Sequence, residues 1–177
     1  DTKRCEMSDD YRDLVELLAV NKIDATIDNG HIDHAEALFE AILKHSNKFI
    51  KIYSGKLEND FYSRGNLTDL FSDFLTRNSN ARVQILVEED PSCSPQHPLI
   101  SKLNEFKGRF ELYCVPSSMK INKGKHFLVG DGISYREEEA HPATSRTDYR
   151  AKANFNSPMK AGELMKDRKS TRLNSSH

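Results

Sequence analysis

The residues best suited to chemistry lie in two short segments in the second half of the chain. The first, Lys125-His126-Phe127-Leu128-Val129-Gly130-Asp131-Gly132, sets a histidine at the head of an apolar run that ends in an Asp-Gly pair. The second, Ala151-Lys152-Ala153-Asn154-Phe155-Asn156, carries an asparagine beside an aromatic ring. Lys120, Lys123 and Lys125 surround the first segment, and Arg150 and Lys152 the second. Gathered in space, such cations would hold a phosphate or a nucleic-acid backbone through charge, with or without a reaction. Spread over turns beside Glu137, Glu138 and Glu139, they would be solvated side chains. Asp131-Gly132 is also among the strongest hairpin-turn signals, so Asp131 has a purely conformational reading as well.

Other chemistries find little support. His31 and His34 have the i, i+3 spacing shared by metal sites and helix starts, but no second pair accompanies them, and an Asn29-Gly30 turn followed by Asp33 as a helix cap explains the segment. Cys5, Cys93 and Cys114 are isolated, without a CxxC partner or a histidine at ligand spacing, which fits reduced thiols and no zinc site. A Gly-rich phosphate loop, a GxSxG elbow and an HExxH pair are all missing from the sequence. No metal and no cofactor is expected.

The 177 residues carry 26 Lys+Arg against 27 Asp+Glu, so no global basic footprint marks the chain as a nucleic-acid binder. The last eleven residues, Asp167 to His177, match without a mismatch the translation of a common short-read sequencing adapter read from its second base. They are expected to be an artefact tail and are left out of the fold reading. Without their three basic residues and one acidic residue the chain carries 23 against 26, a net charge of −3. The chain opens on Asp1, so it reads as an environmental fragment truncated at both ends, with residues 1–7 an uncertain leader and 8–166 one α/β domain. No apolar run approaches the roughly 18 residues of a membrane span, and no signal peptide opens the chain, so a cytoplasmic protein is expected.

The elements that must position these residues follow from periodicity. Tyr11, Leu14, Leu17, Leu18 and Val20 predict a helix over 9–20, and Ala35, Leu38, Phe39, Ile42 and Leu43 a second over 33–46. Strands are predicted at 48–54, 82–88 and 109–115, with helices at 67–75 and 99–106 between them. A hairpin follows, 126–130 and 133–136, turning at Asp131-Gly132. Residues 137–148 read as loop, 151–155 as a last strand and 158–166 as the start of a helix. Helices alternating with short strands argue an α/β fold, a mixed sheet sandwiched by helices.

The two segments, in that order and on those elements, resemble the active-site region of the phospholipase D superfamily. That family carries HxKxxxxD on a strand running into an Asp-Gly turn, then a GSxNF-type segment, then a helix. The resemblance spans most of residues 31–166 and corresponds to one half of that fold. It aligns the motif aspartate with Asp131 and the asparagine with Asn154, whereas the histidine and lysine positions hold Gly124 and His126 and the serine position holds Lys152. Most catalytic letters are therefore absent.

In this family a histidine attacks phosphorus, a second half supplies the acid, and lysines hold the phosphate oxygens. Glycine at 124 cannot attack. His126 shares the strand face of position 124 but lies roughly 6.5 Å along it, a displacement that normally costs much of the rate. The resemblance implies catalytic candidates His126, Asp131 and Asn154 and phosphate contacts Lys123, Lys125, Arg150 and Lys152. It also implies a catalytically degenerate domain that binds a phosphate-bearing ligand, nucleic acid foremost, or a protein partner. Two alternatives stand beside it: an active phosphodiesterase or nuclease using His126 with a missing second half or as a homodimer, and a structural protein-interaction module.

Overall fold

A computed structural model describes residues 2–55, 57, 59–88, 97–115, 126–138 and 150–175, with the side chains of 2–8, 59–60 and 167–175 left aside. The chain runs α1 (Thr2–Val20), β1 (Ile27–Asn29), α2 (Ile32–His45), β2 (Phe49–Ser54), α3 (Asn59–Tyr62), α4 (Leu67–Arg77), β3 (Arg82–Val87), α5 (Pro98–Leu103), β4 (Phe110–Cys114), β5 (Phe127–Gly130), β6 (Ser134–Glu138), β7 (Ala151–Asn154) and α6 (Pro158–Ser175). The seven strands form one mixed sheet in the order β1-β7-β6-β5-β2-β3-β4.

Parallel neighbours need a crossover, and the helices between β2, β3 and β4 supply it. β5, β6 and β7 run antiparallel to their neighbours, which tight turns and loops allow. Period-two alternation divides the side chains between two faces. On one face Ile50, Ile52, Val83, Ile85 and Leu128 meet Leu38, Ile42, Phe71 and Leu75 of α2 and α4, the main core. On the other, Tyr53, Leu86, Phe127, Val129 and Tyr135 form a smaller core under Ala161 of α6, with Leu164 and Met165 packed against it.

The helix ends are closed by arginines from elsewhere in the chain. Arg77 Nη2 donates to the carbonyl oxygens of Leu43, Lys44 and Ser46 at 2.6–2.9 Å, and Arg109 Nη1 to those of Leu75, Asn78 and Ser79 at 2.8–3.1 Å. Both satisfy carbonyls that a helix end leaves without partners.

Several boundaries differ from the sequence reading. α1 begins at Thr2, α6 continues in its backbone to Ser175 through the presumed tail, and Glu137 and Glu138, read as loop, belong to β6. The short elements β1 and α3 have no counterpart in that reading. The cap of α2 is His31, not Asp33: His31 Nδ1 accepts from the Asp33 amide at 3.2 Å, while the Asp33 carboxylate is held by Arg64.

Candidate functional site

The hairpin fixes the site's geometry. Asp131 and Gly132 both have positive φ, +56° and +73°, and the Ile133 amide donates to the Gly130 carbonyl at 3.1 Å. Gly and, less readily, Asp tolerate that region, so the Asp-Gly pair makes a turn that residues with bulkier side chains would strain. With Gly130 paired to Ser134, each step back along β5 matches a step forward along β6: Leu128 meets Arg136, and His126 falls opposite Glu138.

His126 therefore sits at the head of β5, beside the carboxyl end of β2, where Tyr53 pairs with Phe127. Its Nδ1 lies 3.1 Å from Glu138 Oε2. Arg136 Nη1 donates to Glu138 Oε1 at 3.1 Å, and Arg136 Nε to Asn29 Oδ1 at 3.0 Å. The Arg136 guanidinium is buried and lies over the Phe39 ring, 5.6 Å from its centroid. Burial pushes the Glu138 carboxyl up, but the hydrogen bond from His126 and the charge of Arg136 outweigh it and hold the pKa at about 2. The carboxylate is thus ionised at neutral pH and fixes the orientation of the imidazole. Buried Tyr62 is raised above the ordinary phenol range, chiefly by burial and further by the charge of Glu138.

The far side of the imidazole faces Gly55. A Cβ on that glycine would lie 2.9 Å from His126 Nε2 and 3.6 Å from Glu88 Oε2, so the missing side chain makes room for the ring. Tyr53 donates its hydroxyl to the other Glu88 oxygen. The carboxyl end of β2 and the neighbouring ends of β5 and β6, the motif edge, thus gather His126, Arg136, Glu138 and Glu88.

The other expected site residues go elsewhere. Asp131 stands at the opposite end of β5 from His126, about 16 Å along the strand by its rise per residue. Its carboxylate accepts three backbone N–H groups, from Asn47 at 2.8 Å, Lys48 at 2.7 Å and Phe49 at 3.1 Å, and so ties the hairpin to the entry of β2. Asn154 is buried; its Nδ2 donates to Asp24 at 2.8 Å, and its Oδ1 accepts from the Asn156 amide at 2.8 Å. It pairs with Tyr135, three residues along β6 from Glu138. The two therefore do not converge with His126. Lys152 is exposed on β7, opposite Glu137, and Arg150 is exposed just before that strand. Lys120, Lys123, Lys125, Gly124, Cys93 and Glu139 lie outside the described residues.

His34 stacks on Tyr11 with centroids 3.8 Å apart, and burial lowers its pKa. Among the described residues no group of three or more His, Cys, Asp or Glu side chains could hold a metal, and no helix is long and apolar enough to cross a membrane.

The sequence reading missed Glu138, Arg136, Asn29 and Gly55. The hairpin register alone could have found the first two: counting outward from Asp131-Gly132 sets His126 against Glu138. Asn29 has no such signal, because it reaches Arg136 across 107 residues.

A sequence family described as a domain of unknown function, DUF7931, matches residues 31–166. No curated protein matches. Among solved structures the chain is similar to TrmBL2, an archaeal chromatin protein whose structure is described as showing a novel mode of DNA binding. The identity is 15% and the TM-score 0.61, over 98% of this chain and 62% of that one. It is also similar to Nuc from Salmonella typhimurium, a phospholipase D family member, at 11% identity and a TM-score of 0.58 over 85% of this chain and 95% of that one. At such identities the likeness concerns the fold, which is phospholipase D-like.

Proposed function

We propose that this chain, which belongs to the DUF7931 family, is a phospholipase D-like domain that binds a phosphate-bearing ligand, nucleic acid foremost, without cleaving it. The observation that carries this reading is the use to which the motif-like residues are put. Asp131 is occupied by three backbone amides and Asn154 by Asp24, both remote from His126, and position 124 is glycine. A scaffold kept while its reactive letters serve the backbone suits binding better than turnover. The DNA-binding description of TrmBL2 supports nucleic acid as the ligand class. The test is fluorescence anisotropy with a labelled oligonucleotide at several salt concentrations. Binding that weakens steeply with salt, with no hydrolysis of bis-p-nitrophenyl phosphate, is expected. Neither binding nor hydrolysis would leave a protein-interaction module.

One observation favours a second reading, a phosphodiesterase. Glu138 holds His126 Nδ1 at 3.1 Å, and an imidazole oriented by a carboxylate is a group that nucleophilic or base catalysis uses. Such an enzyme would need a second half, from a homodimer or from further chain. Hydrolysis abolished by His126→Ala and reduced by Glu138→Gln would establish it in place of the first reading.

A further inference from the structure

The phosphate-binding role proposed above has a better-suited location than the motif edge, on the open face of the parallel strands. Beside α6 lies a groove of about 360 Å³, within the range of small-molecule sites. Its floor is built by register. Lys51, Gln84 and Glu111 stand in one row across β2, β3 and β4, and Phe49 and Arg82 in the row before it. Adjacent strands lie about 4.8 Å apart, which spaces the side chains within a row, and the two rows are roughly 6.6 Å apart along the strands.

The lining divides into three chemistries. At one end are Phe49 and Met165, half-buried against the smaller core; a Cβ on Gly132 would lie 3.6 Å from the tip of the Phe49 ring and 3.5 Å from the Met165 methyl. At the other, Glu111 Oε2 accepts from Gln84 Nε2 and from the Tyr113 hydroxyl, each at 2.8 Å, which holds the carboxylate in place on the sheet. Lys51 stands at the β2 end of this row, and exposed Arg82 in the row before it. Arg109 adds its charge, although its Nη1 is committed to carbonyls at the end of α4. Among the described residues that line the groove there are three cations and one carboxylate, in a chain whose net charge is −1. At the motif edge two carboxylates, Glu138 and Glu88, stand with Arg136 and His126.

We propose that this groove binds one nucleotide unit of a single nucleic-acid strand. The flat, apolar base lies against Phe49 and Met165, its N–H edge turned toward the Glu111 carboxylate, and the phosphate meets Arg82 and Lys51. Each part of a nucleotide thus finds the chemistry that recognises it: aromatic and thioether surface for the ring, a fixed acceptor for base donors, and cations for the phosphodiester. A duplex hides its base faces and fits less well.

The proposal rests on the binding reading given above, and its test separates the two. Anisotropy is measured on the full chain with a labelled single-stranded dodecamer and with its duplex. Arg82→Glu, at an exposed position, weakens single-strand binding on the order of tenfold at low salt and lowers the log–log salt slope by about 1. Phe49→Leu, which stays apolar but removes the aromatic face, weakens it roughly fivefold, and each of these losses exceeds that of Arg150→Glu with Lys152→Glu. The C-terminal residues are the same in every variant, so differences report the groove.

A strand carrying 5-iodouracil, irradiated on the unmodified chain, crosslinks to the peptide holding Phe49 or Met165, a readout that does not depend on any variant folding. Crosslinks confined to other segments, or loss of binding in the Arg150/Lys152 variant with the groove variants unchanged, overturn the groove while leaving the binding reading standing. No binding of any strand by the unmodified chain overturns both.

Discussion

Asp131 is the residue whose role is most sharply defined. Its carboxylate gathers three amides at the start of β2 while its own backbone adopts φ +56°. Asp131→Ala removes three hydrogen bonds to backbone amides and places an alanine in the left-handed region, so it should lower stability by about 3 kcal/mol, measured by urea unfolding. Asp131→Gly relieves the backbone but not the amides, and should cost less. Glu138 gives a prediction in pH. Its carboxyl has a lower pKa folded, about 2, than its ordinary 4.5, so the folded state favours the ionised form. That contribution, on the order of 3 kcal/mol, is present above pH 4.5 and is lost as pH falls through 2. The stability advantage of the unmodified chain over Glu138→Gln should therefore shrink below pH 4.5 in urea titrations. An advantage constant down to pH 2.5 would show that the His126–Glu138–Arg136 network does not hold the charge.

At the scale of elements, the hairpin and the helix above it depend on each other. A Cβ on Gly130 would collide with Ser46 Oγ and lie 2.8 Å from an Ile42 methyl, so α2 can approach β5 only over a glycine. Ser46 can rotate away, but Ile42 is packed in the core, and Gly130→Ala should destabilise by about 1–3 kcal/mol in thermal or chemical unfolding. The elements with a period of their own were legible in the sequence. α2, α4 and the strands β2, β3 and β4 all carry clear apolar patterns, and Asp131-Gly132 announced the hairpin. β1 was not legible because three residues show no alternation, and its pairing with β7 joins positions more than 120 residues apart. The candidate site was legible only in part for the same reason. His126 stood out by type, and its partner Glu138 follows from the turn. The family pattern, by contrast, drew Asp131 and Asn154 toward a site that the strand register keeps away from them.

For the whole molecule, one sheet carries two distinct features: a hydrogen-bonded His126–Glu138–Arg136 network at the carboxyl end of β2, and a cation-rich groove on the face beside α6. A phospholipase D-like scaffold arranged in this way is expected to hold nucleic acid and leave it intact. The most direct measurement follows both properties in one sample: an end-labelled single-stranded 20-mer is saturated with the chain at low salt, incubated for hours, and run on native and denaturing gels. A shifted complex on the native gel with full-length strand on the denaturing gel is the predicted result. Shortened products that disappear with His126→Ala would contradict it and make the His126–Glu138 pair the working part of a nuclease.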